Sequence, residues 1–198
     1  MMRDWLVAPA ILLAMVMATP ALAGPALAGP PCWTRDAADS QFEFTGKQAG
    51  APAHGRFRRF TVQACFDPDQ AQGELEVEVD LDSLDTRNAT RDATLRGPEF
   101  LDVSHYPRAR YQASDFESLG GQHYRARGTL TLHGVSQPLA VPFSFRVDND
   151  GRQAEARGTA ALDRRDFDVG QGRWAGTRWV GAEVELSFSL KLVPASPP

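Results

Sequence analysis

"ELEVEVDLD", residues 74–82, alternates without a fault: Leu75, Val77, Val79 and Leu81 fall on one side, and only acids fall on the other. Side chains of an extended chain point to opposite faces in turn, so this segment is a strand with one wet face and one buried face. "PLAVPFSFRV" (138–147) repeats the pattern with Leu139, Val141, Phe143, Phe145 and Val147, and "AEVELSFSLKLV" (182–193) repeats it with Val184, Leu186, Phe188, Leu190 and Leu192. The same period runs through most of the chain from residue 39 onward. It marks strands at about 39–47, 55–66, 73–82, 108–117, 122–133, 138–148, 153–163 and 181–193.

Short turn-like links such as Asp67-Pro68-Asp69, Gly120-Gly121 and Asp148-Asn149-Asp150-Gly151 join most of these strands, which favours consecutive antiparallel hairpins. Two links are long, 83–107 and 164–180. No Pro/Gly-rich linker divides the chain, so one domain is expected, ending in a frayed tail at 194–198. Eight antiparallel strands, each with one apolar face, close into a barrel or stack as a sandwich. Eight is also the size at which a barrel either fills itself with side chains or holds one small ligand. Periodicity leaves that choice open.

Residues 6–18 form an apolar run behind Arg3, about 13 residues long and short of the roughly 20 needed to span a bilayer. Small-residue patterns follow at Ala21-Leu22-Ala23 and Ala26-Leu27-Ala28, so residues 1–28 read as a signal peptide cleaved after 23 or 28. Gly29-Pro30-Pro31 ahead of Cys32 does not suit a lipid-attachment cysteine. A periplasmic or secreted protein is expected, and export places its two cysteines, Cys32 and Cys65, in an oxidising compartment. A hairpin of 39–47 with 55–66, centred near Gln48-Ala49, sets residues whose numbers sum to 97 opposite each other. Cys32 then faces Cys65 at disulfide distance. Net charge is −4 and the basic residues are scattered, which argues against nucleic acid as a partner.

Catalytic signatures are sparse. No Gly-x-Ser-x-Gly elbow, His-Glu-x-x-His helix or phosphate loop occurs, and His54, His105, His123 and His133 lack metal-ligand spacing. No metal or cofactor is therefore expected. The densest polar stretch, "SLDTRNATRDATL" (83–95), supports a rival reading as an enzyme. In that reading Ser83, Asp85, Arg91 and Asp92 converge with a base such as His105 or His133 to act on a lipid, as a hydrolase or isomerase. The plainer reading is a strand end followed by a short helix at Asp92-Ala93-Thr94-Leu95, with Asn88-Ala89-Thr90 matching a glycosylation sequon. In the second long link, Trp174 and Trp179 stand beside Arg173 and Arg178, either packed against a barrel end or placed to grip an anionic group or a membrane surface.

Two stretches carry more than pattern: Ser83-Leu84-Asp85-Thr86 with Arg91-Asp92, Leu95, Phe100-Leu101-Asp102 and Tyr106-Pro107, and Gly128 through His133-Gly134-Val135-Ser136-Gln137-Pro138. With Gly55-Arg56-Phe57, Phe60, Arg165-Asp166-Phe167 and Val169-Gly170, they resemble the YceI-like family of bacterial secreted, lipocalin-like isoprenoid-binding proteins over about residues 33–193. The resemblance implies an all-β, eight-stranded antiparallel barrel with a short helical segment in the 83–107 link. It also implies a carrier role without catalysis, the ligand being an isoprenoid lipid or quinone, with a membrane b-type cytochrome as a partner by family analogy. A stress-related scavenger of hydrophobic compounds is the other binding role. Thr94 stands where many relatives have a histidine, and the cysteine pair is not a general family feature. The expected tail-lining residues are Phe42, Phe44, Val77, Val79, Leu130, Leu132, Phe143, Phe145, Leu186 and Phe188. The head-group candidates at the rim are Arg91, Asp92, Arg173 and Trp174. The sequence leaves the oligomeric state open.

Overall fold

A computed structural model describes residues 29–148 and 150–195; residues 1–28, where a signal peptide is expected, lie outside the described residues. The strands are β1 (Cys32–Arg35), β2 (Gln41–Gln48), β3 (Ala51–Phe57), β4 (Phe60–Asp67), β5 (Gln72–Asp80), β6 (Leu84–Asp85), β7 (Arg108–Gly120), β8 (His123–Leu132), β9 (Val135–Val147), β10 (Ala154–Asp163) and β11 (Glu183–Pro194). Antiparallel pairings run β1–β4–β5–β7–β8–β9–β10–β11 and return from β11 to β1, a closed ring of eight. The three remaining strands prolong members of that ring: β2 continues β1, β3 leads into β4, and β6 follows β5. The architecture is therefore the expected eight-stranded antiparallel barrel, with three of its staves broken into two segments. Pro194 and Ala195, expected in a frayed tail, are held by the sheet, since Pro194 pairs with Trp33 and Ala195 N–H donates to the Cys32 carbonyl.

The alternation read from the sequence explains which faces turn inward. Phe60, Val62, Ala64 and Phe66 of β4 are buried in sequence steps of two, as are Ala154, Ala156 and Ala160 of β10. The expected strand 55–66 is not continuous. Phe57 and Phe60 both face the interior, and strict alternation cannot place residues three apart on one face. The chain resolves the conflict by breaking at Arg58-Arg59, with both arginines outside. This break also corrects the hairpin register. β2 and β3 pair with numbers summing to 99 (Gln48 opposite Ala51), whereas β1 and β4 pair with numbers summing to 97. Cys32 and Cys65 face each other in the second ladder and are disulfide-bonded, with their Cα atoms 3.9 Å apart. The bridge was located correctly, but it joins a separate strand that the alternation did not mark.

Two wall glycines answer a packing demand. A Cβ at Gly55 would stand 2.3 Å from Phe44 Cζ, and one at Gly158 would stand 2.6 Å from Phe188 Cζ. Phe44 pairs with Gly55 and Phe188 with Gly158 across neighbouring strands, so each ring occupies space that a side chain on its partner would need.

The 83–107 link holds one helix, α1 (Ala89–Arg96), which begins three residues before the expected start at Asp92. Asn88 caps it, its side-chain oxygen accepting the Arg91 N–H at 3.0 Å, so the asparagine of the sequon is a helix cap.

Candidate functional site

The barrel interior holds an apolar cavity of about 250 Å³ whose surface is almost wholly carbon. All ten residues expected along a tail lie on its wall: Phe42, Phe44, Val77, Val79, Leu130, Leu132, Phe143, Phe145, Leu186 and Phe188. On β11 the lining runs from Val184 to Leu192, a rise of about 20 Å along the axis at ordinary strand rise and tilt. Lining residues therefore occur along most of the barrel's height. Ligand sites commonly hold about 300–1,000 Å³, so this cavity is small for its class.

One end is packed with rings. Phe66 lies 5.0 Å from Phe116, 5.0 Å from Tyr124, 5.8 Å from Phe143 and 5.2 Å from Phe145, centroid to centroid. Trp33 sits edge-on to Phe145 at 6.1 Å, beside the disulfide. These contacts follow from aromatic residues at inward positions of β4, β7, β8 and β9, and edge-to-face pairs add roughly 0.5–1.5 kcal/mol each beyond area burial.

The other end is closed by the two long links, and its chemistry differs. Arg164 is 3% exposed and lines the cavity. Its guanidinium donates to six backbone carbonyls: Gly181, Val169, Gly170, Trp174, Gly176 and Val180, at 2.6–3.2 Å. Burial pushes its pKa down, and nearby Asp163 opposes the shift. The cation thus acts as the framework around which residues 169–181 fold. Asp163 itself is held at about 2 by the hydrogen bonds from Arg165.

The four rim candidates do not lie on the cavity wall. Asp92 is 8% exposed, and its Oδ1 accepts from the Thr86 N–H at 2.9 Å and the Thr86 hydroxyl at 2.6 Å. Arg91 donates from Nε to Thr86 Oγ1 at 2.9 Å, from Nη2 to the Thr86 carbonyl at 3.2 Å and from Nη1 to Gln48 Oε1 at 3.1 Å. Together they fasten the start of α1 to residue 86, with the Arg91 guanidinium and Asp92 Oδ1 already engaged. Arg173 is exposed over the Trp174 ring, and Trp174 Nε1–H donates to Glu99 Oε2 at 2.8 Å while the ring packs 5.6 Å from Phe100. Trp174 therefore packs against the barrel end, whereas Trp179 is 57% exposed.

The groups named for catalysis stay apart. Ser83 Oγ donates to the Asp80 carbonyl at 2.6 Å, Asp85 takes Arg56 and Arg58, and His105 Nδ1 lies 2.9 Å from Asp102 Oδ2. The rings of His133 and Tyr106 are 4.8 Å apart. Among the described residues, no three His, Cys, Asp or Glu side chains converge as metal ligands would. The surface of the cavity is almost wholly carbon, so its wall offers contact and burial.

Arg164 is the charged wall residue that the sequence reading does not single out. Its signal was present, because Ala154, Ala156, Ala160 and Leu162 all line the interior and the same step of two reaches residue 164.

The YceI-like domain model matches residues 33–192. A UPF0312 protein of Vibrio cholerae is 32% identical over 120 residues, 58% of this chain and 64% of that relative, so the chain spans less than two thirds of the relative's length. Among solved structures, Burkholderia cenocepacia BcnA superposes with a TM-score of 0.76 at 30% identity, over 79% of this chain and 98% of that one. A polyisoprenoid binding domain from Saccharophagus degradans, implicated in plant cell wall breakdown, has the same fold with a TM-score of 0.65 at 15% identity, over 82% of this chain and 98% of that one. The family match starts in β1 and ends in β11, so it takes in every stave of the barrel around the cavity, and the chain belongs to the YceI-like family.

Proposed function

We propose that this protein carries a long-chain isoprenoid lipid or quinone in the barrel, in the periplasm, and performs no reaction of its own. The observation that carries the proposal is the cavity: inside the barrel, lined by residues along most of its height and walled by carbon. Each CH₂ moved from water into such a wall gains about 0.8 kcal/mol, so affinity rises with tail length until the bore is full. The polyisoprenoid-binding relative of the same fold supports a tail of this kind, and the disulfide suits an oxidising compartment. A membrane b-type cytochrome remains a candidate partner on family grounds alone.

Native mass spectrometry of protein purified from its host tests the proposal. A bound lipid is expected, and a protein that stays empty and takes up no lipid on mixing would refute it. Phe143→Arg aims a cation into the tail path but also disturbs the Phe66 ring cluster, so Leu186→Arg, on the wall outside that cluster, accompanies it. Each variant that stays folded by circular dichroism should lose its lipid. Full lipid content in a folded variant would mean that the tail does not run past the substituted residue.

A further inference from the structure

The hydrogen-bonded wall of the barrel has an interruption. β1 pairs with β4 as far as Thr34 and Gln63, and β2 pairs with β3 only from Glu43 and Arg56 onward. Residues 35–42 and 57–62 therefore face each other without a backbone pair, although Arg35 and Phe42 stay paired to β11 and Phe57 and Phe60 to β6 and β5. Aromatic side chains close this seam. Phe42 lies 5.9 Å from Phe57 and 5.7 Å from Phe60 across it, and the Arg35 guanidinium sits 4.0 Å above the Phe60 ring. A wall held by side-chain contacts opens through rotamer changes, whereas a laddered wall opens only by breaking backbone hydrogen bonds.

A groove runs along the outside of the seam, and Phe42 and Phe57 line both the groove and the cavity. Arg56, Arg58 and Arg87 line the groove with Glu43. Asp85 Oδ2 accepts from Arg56 at 3.2 Å and from Arg58 at 2.7 Å, so one carboxylate oxygen serves two guanidinium groups. Three cations thus meet two carboxylates, immediately outside a door made of phenylalanine.

We propose that this seam is the ligand portal and the arginine-lined groove the seat of an anionic head group. The cargo is then an anionic amphiphile, bearing a carboxylate or a phosphate, rather than a neutral molecule such as a quinone. The proposal rests on the carrier reading above and narrows it.

The test compares three probes of one chain length, a C16 fatty acid, the C16 alkyl phosphate and the C16 alcohol, binding to the intact protein. The wild type should favour both anions over the alcohol by about tenfold, the worth of a charge-assisted hydrogen bond at an exposed site. That preference should shrink as salt is raised. Replacing both arginines (Arg58→Gln with Arg87→Gln) should remove it and leave the alcohol's affinity unchanged. The two anions also separate the sources: preference for the phosphate alone marks a phospholipid-type or prenyl phosphate cargo, and equal preference admits fatty acids. Phe42→Leu, which keeps an apolar side chain at the seam, should speed both entry and exit of the alcohol. Equal binding of anions and alcohol by the wild type, parallel loss of all three in the double variant, or unchanged rates in Phe42→Leu would overturn the portal and leave the carrier reading standing. Failure of the wild type to bind any of the three would overturn both.

Discussion

At one end of the barrel Phe66 lies among four aromatic rings beside the Cys32–Cys65 bridge. At the other, Arg164 lies among six carbonyls beneath a folded link. The first closure is apolar and leaves a buried polar atom without a partner, Trp33 Nε1. The second is polar and uses every N–H that a guanidinium offers. Ring packing belongs to the same core as the staves, so it should unfold with them. A link organised by one side chain can detach while the staves remain. The comparison teaches that one barrel can carry a cooperative base and a separable cap.

The contrast can be broken in order of size. Phe66→Ala should destabilise the whole barrel by about 3–5 kcal/mol, the usual range for a buried ring, with one cooperative transition in denaturant. A local loosening with an unchanged midpoint would show that the ring cluster is not part of the cooperative core. Arg164→Met keeps much of the volume and removes every donor, so it should cost roughly 2–3 kcal/mol. Most of that loss should appear as local opening: trypsin should cut after Arg165, Arg173 and Arg178 in the native state, while the barrel's own transition moves little. If Arg164→Met and Phe66→Ala behave alike, the cap is not separable.

The smallest effect concerns a group between the two ends. Tyr111 donates its hydroxyl to the Ala126 and Leu139 carbonyls at 3.2 and 3.1 Å, and burial raises its pKa to about 12 from an ordinary 10.0. A raised pKa favours the protonated form in the folded state. Its stabilisation is therefore complete below pH 10 and is lost as pH climbs from about 10 to about 12. Tyr111→Phe should flatten that alkaline slope in a stability-versus-pH series, leaving the weaker contribution of Tyr124, which is also raised by burial. An unaltered slope would assign it to other groups.

How much of this was legible differs between staves and links for a physical reason. A stave repeats its relation to the core every second residue, so Val77, Phe143 and Leu186 announced their positions locally, and all ten expected wall residues line the cavity. The break at Arg58-Arg59 is also written in the spacing of Phe57 and Phe60, three apart and both inward, which one continuous strand over 55–66 does not allow. β1 has only four residues, too few to show a period. The links were harder. An Asp or Arg in a polar segment looks the same whether it faces water or folds inward, and its partners depend on a three-dimensional path. Asp92 is spent on Thr86, six residues away, and Arg164 on residues up to 17 positions away. For the same reason the head-group candidates were placed by composition, and the structure moves them off the cavity wall.

The glycines opposite Phe44 and Phe188 reach further than local packing. Both rings line the cavity, yet what lets them lie back is the missing methyl behind them. A single added carbon at Gly55 would push the Phe44 ring toward the axis and narrow the channel at that height, whereas one at Gly158 would also strike the Pro142 carbonyl oxygen at 2.5 Å and force the neighbouring strand to shift. The calibre of this barrel is therefore governed from behind its lining. Selection for a thicker or thinner cargo has a lever there that leaves the chemistry of the contact surface untouched.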